Sequence, residues 1–258
     1  MKKSRVPMLL TLAVILFLFA PLVMLVVHSF NASRFGGEWE GFTWQWYERL
    51  WAADEVWDAL FVTLKIAVTS SIVAMVLGSL AAFALHRFRS WLQNLHSMLV
   101  TVPLVMPDIL MGMSLLALFV ALGVELGMTT IWIAHVTFCV SFVTMVVLGR
   151  LQDFDFTLVD AARDLGATPS MAARKILVPL LLPGILAGGL LAFTLSIDDY
   201  VITFFVSGPG TTTLPLRVAS MMKGRNLPMI NALSTLMIAG TFVLAAVAFR
   251  LQGKSKQP

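Results

Sequence analysis

The chain is 258 residues long, with 59% hydrophobic and only 12% charged residues, where a soluble domain carries about 25% charged. That balance excludes an ordinary water-soluble domain, and apolar runs recurring along the whole length indicate one continuous membrane domain. A formal charge of +4 would suit nucleic acid only if Lys and Arg shared a face. They sit at the ends of apolar runs instead, so topology explains them. The lone Cys139 lies inside such a run and allows no intrachain disulfide.

Six apolar stretches of about 20 residues, long enough to cross a hydrocarbon core, are predicted at 6–28, 59–85, 98–122, 130–149, 183–206 and 229–249. The first has an apolar core too long for a signal peptide and no small-x-small cleavage pattern, so it reads as a span. Basic residues set the orientation: Lys2, Lys3 and Arg5 before the first span, Arg87 and Arg89 after the second, Arg150, Arg163, Arg174 and Lys175 after the fourth, and Arg250, Lys254 and Lys256 at the end. Both termini are expected in the cytoplasm. The acidic segment 29–58 agrees, because Glu38, Glu40, Glu48, Asp54, Glu55 and Asp58 outnumber Arg34 and Arg49. Its Trp39, Trp44, Trp46, Trp51 and Trp57 suggest a helix along the membrane surface, a docking face for an external partner, or both. Arg217, Lys223 and Arg225, between the fifth and sixth spans, run against the rule.

Ionisable groups inside apolar spans are costly and are functional candidates by default. Lys65 in the second span, Asp108 after Pro107 in the third, His135 in the fourth and Asp198-Asp199 in the fifth qualify. Adjacent helical residues point about 100° apart, so the paired aspartates are expected to serve different partners, one facing the pathway and the other a neighbouring helix. Pro103 and Pro107 are placed to open the third helix beside Asp108. These groups either satisfy one another, for instance Lys65 with an aspartate, or compensate a passing organic cation. The four histidines lack metal-site spacing. Gly253-Lys254-Ser255 is not a phosphate loop, because Ala248 stands where the first Gly belongs and no strand precedes it.

Between the fourth and fifth spans, the loop 153–179 reads as two short helices. Thr157 and Asp160 form an approximate capping box, Gly166 supplies a left-handed stop, Thr168-Pro169 restarts the chain, and Pro179 ends the second helix. Ala161 and Ala162 leave one flat face for a partner surface. The pattern resembles the EAA signature of binding-protein-dependent ABC importer permeases, with Asp160-Ala161-Ala162, Gly166, Ile176 and Pro179 at the family spacing. Asp160 replaces the usual Glu and Val178 the usual Leu. The resemblance implies an all-α polytopic protein with the six-helix, type I (MetI-like) permease fold. It implies that Asp160, Ala161, Ala162, Gly166, Ile176 and Pro179 seat in a groove of a separate ATPase subunit.

A narrower resemblance is carried by Met106-Pro107-Asp108-Ile109, His135-Val136-Thr137-Phe138-Cys139, Ala192-Phe193-Thr194-Leu195-Ser196-Ile197-Asp198-Asp199 and Asn231-Ala232-Leu233-Ser234-Thr235-Leu236. Asn31-Ala32-Ser33-Arg34-Phe35-Gly36 and Ser207-Gly208-Pro209 belong to the same set. These segments are similar to the spermidine/putrescine importer permeases, nearer their C-type subunit. The resemblance implies a non-catalytic inner-membrane subunit importing polyamines, with Asp108, Ser196, Asp198, Asp199 and Tyr200 along the substrate pathway. It also implies a second permease, two ATPase subunits that hold ATP and Mg, and a periplasmic polyamine-binding protein, with no cofactor on this chain and no nucleic-acid partner. The expected organisation is 1–58 as first span and outer segment, 59–250 as the transmembrane domain containing the coupling loop 153–179, and 251–258 as a cytoplasmic tail. A permease for another solute and an ion-coupled secondary transporter are the alternatives, the latter disfavoured because no internal repeat is visible.

Overall fold

A computed structural model describes residues 6–34, 37–88 and 91–254. Lys2, Lys3, Arg5, Arg89 and Lys256, used for orientation, lie outside these residues, as do Phe35, Gly36 and Ser255. Regular structure among the described residues is helical, apart from one isolated antiparallel bridge between Asn31 and Phe42. The chain divides into two compact units, Met1–Trp57 with Val218–Pro258, and Asp58–Arg217.

In the first unit, α1 (Val6–His28) and α2 (Gln45–Trp51) both pack against α12 (Leu227–Lys254). Helix α1 is apolar all round and leaves its side chains from Pro7 to Met24 exposed, as expected of a helix whose surroundings are lipid or another membrane subunit. The segment between α1 and α2 is held by Asn31, which is 1% exposed. Its side chain donates to Glu38 O and accepts the N–H groups of Ser33 and Glu40, and its carbonyl accepts the Trp46 indole N–H at 2.7 Å. The tryptophans therefore divide: Trp46 is buried, while Trp39, Trp44 and Trp51 are exposed. The surface helix expected from them is only the seven residues of α2.

The second unit is built around α6 (Met128–Gln152), which buries Ile131, Ala134, His135, Phe138, Cys139, Val143, Val147 and Leu151. It packs on α9 (Val178–Asp198) and on α3 (Asp54–Arg87) at glycines. A Cβ added at Gly78 would lie 2.8 Å from Val143 Cβ, and one at Gly184 would lie 2.6 Å from Arg150 Cγ. In lipid no hydrophobic force drives helices together, so small residues that let backbones approach supply the association through dispersion contacts.

Two of the expected spans are broken. The third is α4 (Gln93–Val105) and α5 (Asp108–Ala121), bent by 117°. Met106 is extended at φ −71°, ψ 133°, as the clash of a following proline ring requires. Pro107 thus makes the break, while Pro103 stays inside α4. The fifth is α9, then Asp199 at φ −68°, ψ 119°, then α10 (Val201–Val206). Four helices among the described residues, Pro7–His28, Asp54–Arg87, Met128–Gln152 and Pro169–Asp198, are long and apolar enough to cross a membrane, and the bent pair makes a fifth crossing if its halves count together. The described apolar part of α12 runs over Leu227–Phe242.

Candidate functional site

The two breaks meet at a groove of about 380 Å³ in the second unit, lined by Pro103, Leu104, Met106 and Asp108 on one side and Thr194, Leu195, Asp198 and Tyr200 on the other. Helices α5 and α10 pack tightly behind it, where a Cβ on Gly112 would lie 2.7 Å from Phe205 Cδ2. The C-terminal ends of α4 and α9 both reach the groove, so partly unsatisfied carbonyls and the negative ends of two helix dipoles point into it. The two helix N-termini beside them are neutralised, with Asp108 in the first turn of α5 and Asp199 accepting the N–H groups of Ile202 (3.2 Å) and Thr203 (2.8 Å) in α10. The groove is electronegative, and it favours a cation.

The sequence candidates separate here. Asp108 and Asp198 are exposed to the groove. Tyr200 lines it, half-buried, beside Phe204. Asp199 reaches its edge but is engaged behind it, also accepting the Thr203 hydroxyl at 2.6 Å. Ser196 is 2% exposed and bonds His135 Nδ1 at 2.6 Å rather than opening onto the groove. Lys65 is exposed on α3, and no ion pair joins it to an aspartate among the described residues. The paired aspartates do not occupy one helix, because the chain unwinds between them, so their divergence comes from the break and not from helical pitch. Thr203 and Ser70, the further members of this polar cluster, carried no signal in the sequence. Single hydroxyls in apolar runs commonly bond their own helix carbonyls.

The loop after α6 forms α7 (Thr157–Asp164) and α8 (Pro169–Ala172). Thr157 is not the cap expected of it. Phe156 stands at the N-cap with no side-chain bond, and Asp155 before it accepts the Thr157 N–H at 3.0 Å and its hydroxyl at 2.7 Å, a carboxylate that also suits the positive helix end. Those two bonds hold the Asp155 carboxyl below its ordinary value. Gly166, at φ +88°, ends α7 as expected. Its N–H bonds Arg163 O, and the Ala167 N–H bonds Ala162 O, the pairing of a Schellman stop. Thr168 caps α8 by accepting the Met171 N–H.

Pro179 does not end the second helix. A π-helical turn, Ala173–Leu177, joins α8 to α9, and Val178 N–H bonds Ala173 O, five residues back. The wider turn accommodates a proline that lacks its N–H and would clash with a carbonyl four residues earlier. The second half of the loop and the fifth span are consequently one helical rod, Pro169–Asp198. At the tip Leu165 is 90% exposed, with Asp160, Ala161 and Gly166 exposed, Ala162 and Ile176 half-buried and Pro179 exposed further along. The apolar tip and the flat alanine face suit insertion into another protein. No His, Cys, Asp and Glu cluster among the described residues is arranged to hold a metal ion.

Comparison with known proteins identifies the company this geometry keeps. Residues 74–256 match the family described as binding-protein-dependent transport system inner membrane component. The putrescine transport system permease protein PotI of Escherichia coli (strain K12) is 43% identical over 248 residues, covering 93% of this chain and 88% of that protein. The spermidine/putrescine transport system permease protein PotC of Haemophilus influenzae is 41% identical over 232 residues, covering 90% of each. Among solved structures, a bacterial ABC transporter involved in the import of the acidic polysaccharide alginate covers 97% of this chain and 98% of its own at a TM-score of 0.72 and 14% identity. A chain of the inward-facing MetNI methionine ABC transporter covers 78% and 96% at a TM-score of 0.65 and 18% identity. At those identities the structural likeness speaks for the fold alone, which is MetI-like.

Proposed function

Because this chain belongs to the family of binding-protein-dependent transport system inner membrane components, we propose that it passes polyamines, putrescine or spermidine, through the groove between its two broken helices. The observation that carries the substrate is electrostatic. Two exposed carboxylates, Asp108 and Asp198, stand beside two helix C-termini in a mostly apolar wall, where a flexible polycation finds compensation for lost water. Relatives 41–43% identical are permeases named for putrescine and spermidine, which supports that class over other cations. Asp108, Asp198 and Tyr200 line the path in this reading, and Asp199 and Ser196 shape it from behind.

The energy comes from elsewhere. Asp160, Ala161, Ala162, Gly166, Ile176 and Pro179 form the seat for one of two ATPase subunits, which hold ATP and Mg. A second permease completes the pathway, and a periplasmic binding protein delivers the polyamine. Both termini and the 153–179 loop face the cytoplasm. In proteoliposomes holding the whole complex, ATP should drive uptake of labelled spermidine, and Asp108→Asn and Asp198→Asn should each lower it by about tenfold or more, as expected for losing a charged contact in a poorly hydrated site. Wild-type uptake by both variants would sink the cation reading.

A further inference from the structure

A histidine that does not line the groove stands behind the α9–α10 break. His135 on α6 is 1% exposed, and its two ring nitrogens reach opposite sides of the α9–α10 break. Nδ1 lies 2.6 Å from Ser196 Oγ, before the break, and Nε2 lies 2.9 Å from Thr203 Oγ1, after it. Donor directions follow from the one group that only accepts, the Asp199 carboxylate. Thr203 gives its single hydroxyl proton to Asp199 Oδ2 and so accepts from the ring N–H at Nε2. Nδ1 pairs with the Ser196 hydroxyl, whose oxygen lies 3.4 Å from Ser70 Oγ on α3. Nε2 also approaches Asp199 Oδ2 at 3.4 Å. One imidazole therefore satisfies the polar side chains on both flanks of an unwound segment, where unpaired groups would each be costly.

We propose that His135, acting through Ser196 and Thr203, is a positioning residue that locks Asp199 inward and thereby leaves Asp198 as the carboxylate presented to the groove. Asp199 and Asp198 are adjacent, so the backbone angles that turn the first toward His135 determine where the second points. A rotation of that segment would exchange a carboxylate satisfied by three donors for one facing the groove. Phe138, one helical turn after His135, lies 5.3 Å from the imidazole by ring centroids and lines the groove, so the ring is braced on that side by packing. His135, Ser196 and Thr203 do not line the groove. Their effect on transport is transmitted through the direction of Asp198, and this rests on the groove being the path of a cation.

The test reads the position of residue 198 without relying on the substrate. In the assembled complex on a Cys139→Ala background, Asp198→Cys is labelled with a cationic methanethiosulfonate reagent. Adding His135→Leu should change the labelling rate by about fivefold or more, the scale of one lost buried hydrogen bond. His135→Gln, which keeps a donor toward Thr203, should restore most of the difference, and Asp108→Cys on the opposite wall should label equally in all backgrounds. If His135→Leu prevents assembly, Thr203→Val removes the same link and should give the same change. Equal labelling of Asp198→Cys with and without an intact link overturns the proposal, as does an equal change at Asp108→Cys. Normal spermidine uptake by Asp198→Asn, with the labelling difference intact, would remove the cation reading and leave the positioning role standing.

Discussion

Gly166 occupies a conformation that depends on one missing atom. Its φ of +88° lies in the left-handed region, yet an added Cβ would meet nothing within 4 Å. The cost of substitution is therefore in the backbone and not in a clash, about 1–2 kcal/mol for an ordinary residue and more for a β-branched one. Gly166→Val should leave membrane insertion intact while uptake falls by about tenfold or more, because the Schellman stop that aims α7 is lost; undiminished uptake would show that this turn does not aim the seat. Asp155 acts at the other end of α7. Its carboxyl is held below the ordinary value by Thr157, so its contribution is present above the unfolded value and is lost only as pH falls through the lowered one. The Asp155 carboxylate stays ionised across the neutral range. Gly166 was legible in the sequence because left-handed stops select one residue type. Asp155 was not, because Thr157 satisfies the same local rule, and the choice between them is made by where α6 delivers the chain.

Elements show the same division between signals carried by one residue and signals carried by packing. Pro107 announced the α4–α5 break, since a proline disfavours a helical conformation in the residue before it. No residue announces the α9–α10 break. Asp198-Asp199 puts charge into the run 183–206 but no Pro or Gly marks a stop there, and the chain unwinds where His135, on another helix, meets hydroxyls on both flanks. The π-helical turn at Ala173–Leu177 is intermediate: Pro179 requires an adjustment, but the sequence does not choose between ending the helix and widening it. Widening keeps α8 and α9 continuous, so no hinge separates the loop from the fifth span. A π-turn holds one residue more than the α-helical path, and its removal would rotate α8 relative to α9 by about 100°. Pro179→Ala restores the missing donor and permits that change. We expect the variant to insert normally and lose uptake by about tenfold or more, with ATP hydrolysis less responsive to the loaded binding protein. Wild-type coupling with the π-turn abolished would show that its phase is immaterial.

For the whole molecule, hydropathy and charge give different kinds of information. Membrane class was legible because it sums over all 258 residues, and no single break or cap alters the sum. Orientation depends on a few basic residues near span ends, and here the rule and one segment disagree. The acids of the outer segment and the basic loop around Arg163, Arg174 and Lys175 agree, whereas Lys223 and Arg225, both exposed, lie between the fifth and sixth spans. Arg225 adopts φ 56° just after α11 (Leu214–Lys223), a turn that returns the chain toward α12 within three residues. A connection this short keeps the basic pair on the same side of a membrane as the start of α12, so the other loops are expected to set its side. The bias is also strongest for charges that must be held back during insertion, and a minority pair does not outweigh the clusters at the opposite ends. Single cysteines on the Cys139→Ala background would decide the matter, labelled in sealed right-side-out vesicles by an impermeant maleimide. Trp51→Cys and Lys223→Cys should react from outside and Leu165→Cys only after the membrane is opened. Outside protection of Lys223→Cys together with reaction at Trp51→Cys would place an odd number of crossings between them, and the six-span reading would have to give way.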